Sequence, residues 1–564
     1  MKWLLVLLSL GVSTASTQEA PAQPQPIVQT LHVDGATVFS RDDILGMLNL
    51  REGSPLPKPP AEIARTLQEA YERDGYSEAR VTSAFEAGRL SLTVEEGRID
   101  DVEILGVTGD AVDRARRQLG IKAGDIYNKR TIGQAVSRFV RDSQGALAVG
   151  RPHYSRGRDP QSIPDEVTLE RRGPRSILVV PFKQQAVHGN LNGGSGREDL
   201  FSPVDGFAPG LAYSTTIFDH ARFNHAFLNA FVSYKFGRDA AGYSIGGERP
   251  IFHGPRLFLG AELHDLTASD DLWRLSSVEQ TLVSVAFKNS FRDYYRRRGA
   301  QVFTILRIGA HHELSAMGRW DRHEPLANAT GYSFFRDDAS YRPNTAVIDQ
   351  HVNALVLGYT FDTRRLSAAG QAATYQRHLK DNLFGQGVRQ QPGVRLEWTS
   401  EIAGHGLKGD ADFGRHIVQA RSYVPIGERT QVSLRGLFGF SNGSLPVERT
   451  FAIGGIGSVH GYRFKEAAGG TGMTLLNVEY RVNLTNPGRR RDAANVFVFY
   501  DTGRLRLPKP DPRELSTGLR APDPGWLHGI GVGAGAGGFR VEFGFRAKDI
   551  PRSRQILVRF SPTF

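Results

Sequence analysis

The chain contains no cysteine, which excludes a disulfide scaffold, thiolate metal sites and cysteine nucleophiles. That absence suits folding in an oxidising compartment, where stray thiols mispair. The sequence also lacks any later run of apolar residues long enough for a membrane helix. Its one early apolar stretch, Trp3 to Val12, is too short to cross a bilayer. With Lys2 before it and Ser13-Thr14-Ala15 after it, residues 1–15 read as a secretory signal. No basic helix and no zinc spacing is present, so the net charge of +11 does not point to nucleic acid. The arginine clusters 296–298 and 489–491 sit beside glycines or at loop-like positions, and solvated loops with a basic lumen are expected.

What is present is unusual for a soluble enzyme. The mean hydropathy of −0.33 looks soluble, yet there are 63 glycines and 10% aromatic residues. A transmembrane barrel reconciles these facts, because only alternate residues of each strand must face lipid.

Residues 16–26 form a Pro/Gln-rich linker, and two copies of one pattern follow. The first, residues 27–98, reads as strand, helix, helix, strand, strand. Ile27 to Val33 is extended, and Ser40 with Asp43 opens a helix as a capping box. Pro59-Pro60 precedes a second helix with Ile63, Leu67, Ala70 and Tyr71 on one face. Ala79 to Phe85 and Arg89 to Glu95 join through Ala87-Gly88 as a hairpin. The second copy, residues 99–172, has a strand at Val102 to Leu105 and a helix capped by Asp110. A second helical face follows at Ile132, Val136, Phe139 and Val140, then strands near Ala146–Val149 and Val167–Arg171. From residue 173 to 564 the period becomes two, with no helical segment expected: Phe539, Val541, Phe543 and Phe545 alternate with Arg540, Glu542, Gly544 and Arg546. Spanning strands of about ten residues give roughly 14 to 18 strands, and an even number, sixteen, is expected. The fold class is therefore an all-β transmembrane barrel preceded by two small α+β domains.

Particular strings carry a family resemblance. Tyr71 to Tyr76 and Leu90 to Ile99 resemble the POTRA modules of two-partner-secretion transporters. Residues 454–462 (GGIGSVHGY) resemble the G-G-x-x-S-V-R-G-Y/F motif of outer-membrane assembly factors and bacterial surface antigens. Asn477 to Arg481 resembles the N-x-E-Y-R strand of that superfamily, and Phe499 to Gly503 its F-x-D-x-G. The resemblance implies outer-membrane location with the POTRA modules in the periplasm, and a sixth extracellular loop folded into the lumen. It implies a lock in which the arginine of that loop meets the acid of F-x-D-x-G. The expected lock residues are Gly454, Gly455, Val459, His460, Gly461, Tyr462, Phe499, Asp501 and Gly503. Glycines supply the tight backbone, and an inward acid needs a cationic or hydrogen-bonding partner. Such a lock serves either barrel stability or gating. Here His460 replaces the arginine and lacks its bidentate fork, so Arg463 is a candidate substitute.

Two enzyme-like strings weigh little. Asp501-Thr502-Gly503 is the aspartic-protease triplet, but no second copy occurs to share a proton. Gly533 to Gly538 has dinucleotide spacing but leads into a strand, so a phosphate would lack its helix N-terminus. No catalytic residue, metal site or cofactor is expected. The expected partners are an unfolded client polypeptide, outer-membrane lipid and accessory periplasmic proteins. The resemblance implies either translocation of polypeptides or assembly of barrels; the first POTRA module leans to secretion and the barrel strings to assembly. A passive channel is the alternative.

Overall fold

The computed structural model describes residues 26–107, 110–143, 146–152, 162–184, 187–193, 198–219, 224–252, 257–309, 311–336, 338–364, 392–404, 406–484, 494–508, 523–537 and 539–560. The signal, most of the linker and the second basic cluster lie outside the described residues. Two compact units emerge, residues 1–139 with 149–183, and residues 140–148 with 184–564.

The first unit opens with β1 (Thr30–Asp34), α1 (Arg41–Leu48), α2 (Pro60–Arg73), β2 (Arg80–Glu86) and β3 (Arg89–Glu95). The reciprocal Ser40–Asp43 capping box starts α1, and Pro60 at the first turn of α2 costs no hydrogen bond. Strand β3 is central, parallel to β1 and antiparallel to β2. Leu90 and Leu92 of β3 meet Leu67 and Tyr71 of α2 in a dry cluster, each full burial being worth about 1.5–3 kcal/mol. Ala87 and Gly88 take positive φ (47° and 78°) in the β2–β3 turn.

A second copy follows with β4 (Asp101–Leu105), α3 (Asp110–Leu119), α4 (Lys129–Asp142), β5 (Leu147–Val149), β6 (Thr168–Arg172) and β7 (Arg175–Gln184). Again the last strand is parallel to the first and antiparallel to the one before it, since β7 pairs with β4 and β6. The expected barrel boundary at residue 173 is therefore corrected: β7 belongs to the small sheet. Its run Leu178-Val179-Val180-Pro181-Phe182 is buried on both faces. That is the mark of a covered central strand, not of lipid and lumen alternation.

Among the described residues the barrel is one sheet of sixteen strands in sequence order, from Val187–Gly193 to Gln555–Arg559, every neighbouring pair antiparallel. Among the described residues the first and last strands do not pair with each other. The strand Asn495–Arg506 shows the pattern: Phe497, Phe499 and Asp501 are buried, while Val496, Val498 and Tyr500 are exposed on the outer face. An apolar outer face on a hydrogen-bonded sheet is what lipid requires. Arg296, Arg297 and Arg298 stand on the strand Tyr295–Ile308 rather than in a loop; Arg296 pairs with Asp265 and Glu324, and Arg297 with Asp321.

Strand directions alternate, so the long connections 269–294, 326–349 and 444–471 leave the same end of the barrel. The first holds a helix that the alternation reading missed, α5 (Ser277–Phe287), opened by the capping box Ser276–Glu279. Its Glu279, Gln280 and Ser284 are buried, while Val278, Leu282 and Phe287 are exposed. Polarity is thus inverted relative to a helix on a soluble protein.

Candidate functional site

Residues 444–471 form the sixth connection at that end, and their tip lies on the barrel's inner wall. Gly454, Gly455, Gly457 and Gly461 all have φ between 68° and 105°, a region open to glycine but costly for other residues. The turn they build delivers Val459 and His460 inward, where both are buried. Val459 joins an apolar cluster with Leu437, Phe451, Leu475, Leu505 and Leu527. A side chain at Gly503 would come within 3.3 Å of it.

His460 makes two contacts at once. Its Nδ1 lies 2.6 Å from Asp501 Oδ2, and its Nε2 lies 3.0 Å from Glu542 Oε2. Its backbone N–H also donates to Asp501, at 3.1 Å. Only a doubly protonated imidazolium donates from both nitrogens, so the ring bridges the strands Asn495–Arg506 and Phe539–Arg546 as a cation. Burial depresses the pKa of this loop histidine, but Asp501 and Glu542 outweigh burial and raise it from 6.5 to about 9. Phe499 packs its ring 4.6 Å from the imidazole. Asn477 Nδ2 donates to Asp501 Oδ1 and to Ser458 O, both at 2.7 Å, tying the strand to the loop.

Two glycines make this approach possible. A Cβ at Gly529 would stand 2.6 Å from His460 O, and one at Gly544 would stand 2.7 Å from His460 Cβ. Beyond them Glu542 is held by Arg540 at 2.6 Å, and Arg540 by Glu479 at 2.7 Å. On the loop's far side Arg546 donates to Gly461 O at 3.0 Å and stacks 4.5 Å from Tyr462. Tyr462 Oη accepts the His528 N–H at 3.3 Å.

The expected lock residues are thus brought together, with one exception. Arg463 is exposed, and its backbone N–H donates to Glu466; it does not stand in for the missing arginine. A histidine with two carboxylates takes that place. Sequence reading missed Glu542, Arg540, Asn477, Gly529 and Gly544 as members. Their signal was the acid and base inside the alternating strand Phe539–Arg546 and the glycine-rich strand before it.

A second set of contacts fixes the same loop to its neighbours. Lys465 bridges Asp271 and Asp293 at 2.8 and 2.6 Å, and Arg274 donates to Gly454 O and Ala452 O. Glu279 of α5 accepts from Nε of Arg559, the end of the last strand, at 2.9 Å and from the Phe560 N–H just beyond it at 2.8 Å.

Fold and site together define an outer-membrane β-barrel whose own loop is buttoned into its lumen. The chain belongs to the Omp85 superfamily: the model of the Omp85 superfamily domain matches residues 235–551, more than half of its length. Among solved structures it is similar to BamA from Haemophilus ducreyi lacking POTRA domains 1–3, at 14% identity and a TM-score of 0.52. That likeness covers 95% of this chain and 98% of the other. It is also similar to CdiB from Escherichia coli, at 14% identity and a TM-score of 0.37, over 97% and 91% of the two chains. The first likeness speaks to fold alone. No curated protein sequence matches this chain significantly.

Proposed function

We propose that this protein handles other polypeptides at the outer membrane, without catalysing a reaction. Two POTRA modules, residues 27–98 and 99–183, receive an unfolded client, and the barrel passes it across the membrane or assembles it into the membrane. The observation that carries this reading is the loop 444–471, held in the lumen by ion pairs and glycine contacts that can be undone without breaking the sheet. The module sheets supply the receiving surface: β2 lies at the edge of its sheet, with β3 on one side only. Edge backbone groups pair with an incoming strand while demanding little of its sequence. At the other end of the path, the first and last barrel strands are unpaired with each other among the described residues, which suits templated insertion of a new strand.

The experiment is depletion followed by parallel proteomics of the outer membrane and the culture medium. Broad loss of barrels identifies assembly, and loss of one secreted protein identifies a dedicated transporter. Unchanged proteomes overturn the proposal in favour of a passive channel.

A further inference from the structure

Residues 546–555 read RAKDIPRSRQ, with four basic side chains against one acid. They make the turn between the last two strands, Phe539–Arg546 and Gln555–Arg559, at the same end of the barrel as the sixth connection. The turn is braced from within: Ser553 Oγ accepts the Arg546 N–H at 2.8 Å, and the Ser553 N–H donates to Asp549 O at 3.0 Å. Gln555 Oε1 accepts the Gly461 N–H at 3.1 Å, which joins the turn to the sixth connection. Charged side chains on a turn are ordinarily only solvated, so any further role has to come from how they are arranged.

Turn and connection together enclose an open groove of about 620 Å³, lined by Tyr462, Arg463, Arg546, Asp549, Arg552 and Arg554 among others. Arg546 builds the wall: it pairs with Glu466 at 2.8 Å, donates to Gly461 O and stacks on Tyr462. The other three arginines are different. Arg463, Arg552 and Arg554 are exposed, and among the described residues none has its guanidinium in an ion pair or hydrogen bond. Asp549, the acid on the same wall, pairs with none of them. Three guanidiniums from two separate loops thus line one groove and make it electropositive. Their planar forks match the oxygens of a phosphate in pairs.

Directly beyond the groove the chain turns apolar on its outer face. Ile556, Val558 and Phe560 are exposed, while Leu557 and Arg559 between them are buried. Phe539 packs its ring 5.6 Å from that of Phe560, continuing the strip onto the neighbouring strand. Cationic groove and apolar strip therefore follow one another from the rim towards the membrane interior, the order in which an anionic headgroup and its acyl chains are stacked. We propose that the groove lined by Arg463, Arg552 and Arg554 binds the phosphate of an outer-leaflet lipid, whose chains lie along Ile556, Val558 and Phe560. Phosphate is the group recognised, and the adjoining apolar strip assigns it to a lipid instead of a free ion. The site stands independently of the polypeptide-handling reading, since a passive barrel with this rim would hold the same lipid.

Native mass spectrometry of the full-length protein in a non-ionic detergent tests this with three probes: lipid A carrying both phosphates, the same lipid dephosphorylated, and inorganic phosphate. Wild type should retain the phosphorylated lipid, and retention should fall as salt screens the exposed charges. Removing the phosphates should weaken binding by roughly tenfold or more, and so should Arg552→Gln combined with Arg554→Gln, since each change deletes hydrogen bonds to a charged group. Arg463→Gln should weaken it in the same direction. Arg429→Gln, an exposed arginine in the turn at the opposite end of the barrel, should leave it unchanged. Native-like mobility of unheated variants on a denaturing gel establishes that they fold. The proposal is overturned if wild type retains both lipid forms equally or neither, or if the folded double variant binds as tightly as wild type. Displacement of the lipid by an equal concentration of inorganic phosphate overturns it too, because the groove would then serve a free anion.

Discussion

The His460 bridge makes the hold on the sixth loop depend on pH. A docked histidine with a pKa of about 9, against 6.5 when free, favours the docked loop by the difference between those values. At about 1.4 kcal/mol per unit, the full contribution is ~3.5 kcal/mol. The folded-state pKa is the higher one, so the contribution is complete below pH 6.5. It declines through the interval as the undocked loop loses its proton, to ~2 kcal/mol near pH 7.5, and vanishes above about 9. The loop is therefore held more loosely in alkali than in mild acid. Single-channel conductance from pH 5 to 9.5 should show openings that grow more frequent as pH rises through this window. His460→Arg should flatten the profile, because guanidinium stays charged throughout. Glu542→Gln, which removes one of the two carboxylates, should shift the midpoint downward, and Asp501→Ala should erase the difference between His and Arg at position 460. Superimposable pH profiles for wild type, His460→Arg and Asp501→Ala would falsify the coupling.

The remaining expectations concern the loop floor, the modules and the barrel. Gly544→Val places side-chain atoms where His460 Cβ now stands, so it should displace the loop and raise conductance at every pH; conductance equal to wild type would mean that the loop does not press on this strand. Glu96, buried in the first module, accepts from the Thr37 and Val38 N–H groups, Thr37 Oγ1 and Tyr71 Oη. Burial raises its pKa, but these donors prevail and lower it. Its contribution to stability is thus present above the ordinary glutamate range and lost as pH falls through the folded-state value. Glu96→Ala should cost the isolated first module about 2–4 kcal/mol in urea unfolding, and a loss under 0.5 kcal/mol would refute that role. Deleting residues 27–183 should leave an inserted barrel that no longer binds client. Deletion of 27–172 should aggregate more, because β7 keeps its apolar faces and loses its sheet; equal solubility of the two truncations would place β7 with the barrel after all. Unheated and boiled protein should migrate differently on a denaturing gel, and a mainly helical circular-dichroism spectrum would rule out the barrel.

Local regularities were legible wherever neighbours along the chain carry the information. The Ser40–Asp43 capping box, the Pro59-Pro60 start, the Ala87-Gly88 turn and the alternation at Phe539–Arg546 are short-range signals, and they located the modules and the lipid-facing strands. Helix α5 escaped because its apolar residues point outward, so its pattern blends with the surrounding strands. The barrel boundary escaped because β7 is extended like its successors, and only its partners distinguish it.

By itself the sequence carried the duplicated pattern, the barrel class and the motifs that meet in the lumen, since each is written in composition, period or a contiguous string. Tertiary structure alone decided how position 460 works. Asp501 and Glu542 lie 41 residues apart in sequence, and strand register sets which inward acids face the loop tip. The same holds for Arg395, Arg421 and Arg435, which lie far apart in sequence and become neighbours only through cross-strand pairing. Charge type can be read locally, but the partner that fixes its protonation is chosen by the fold.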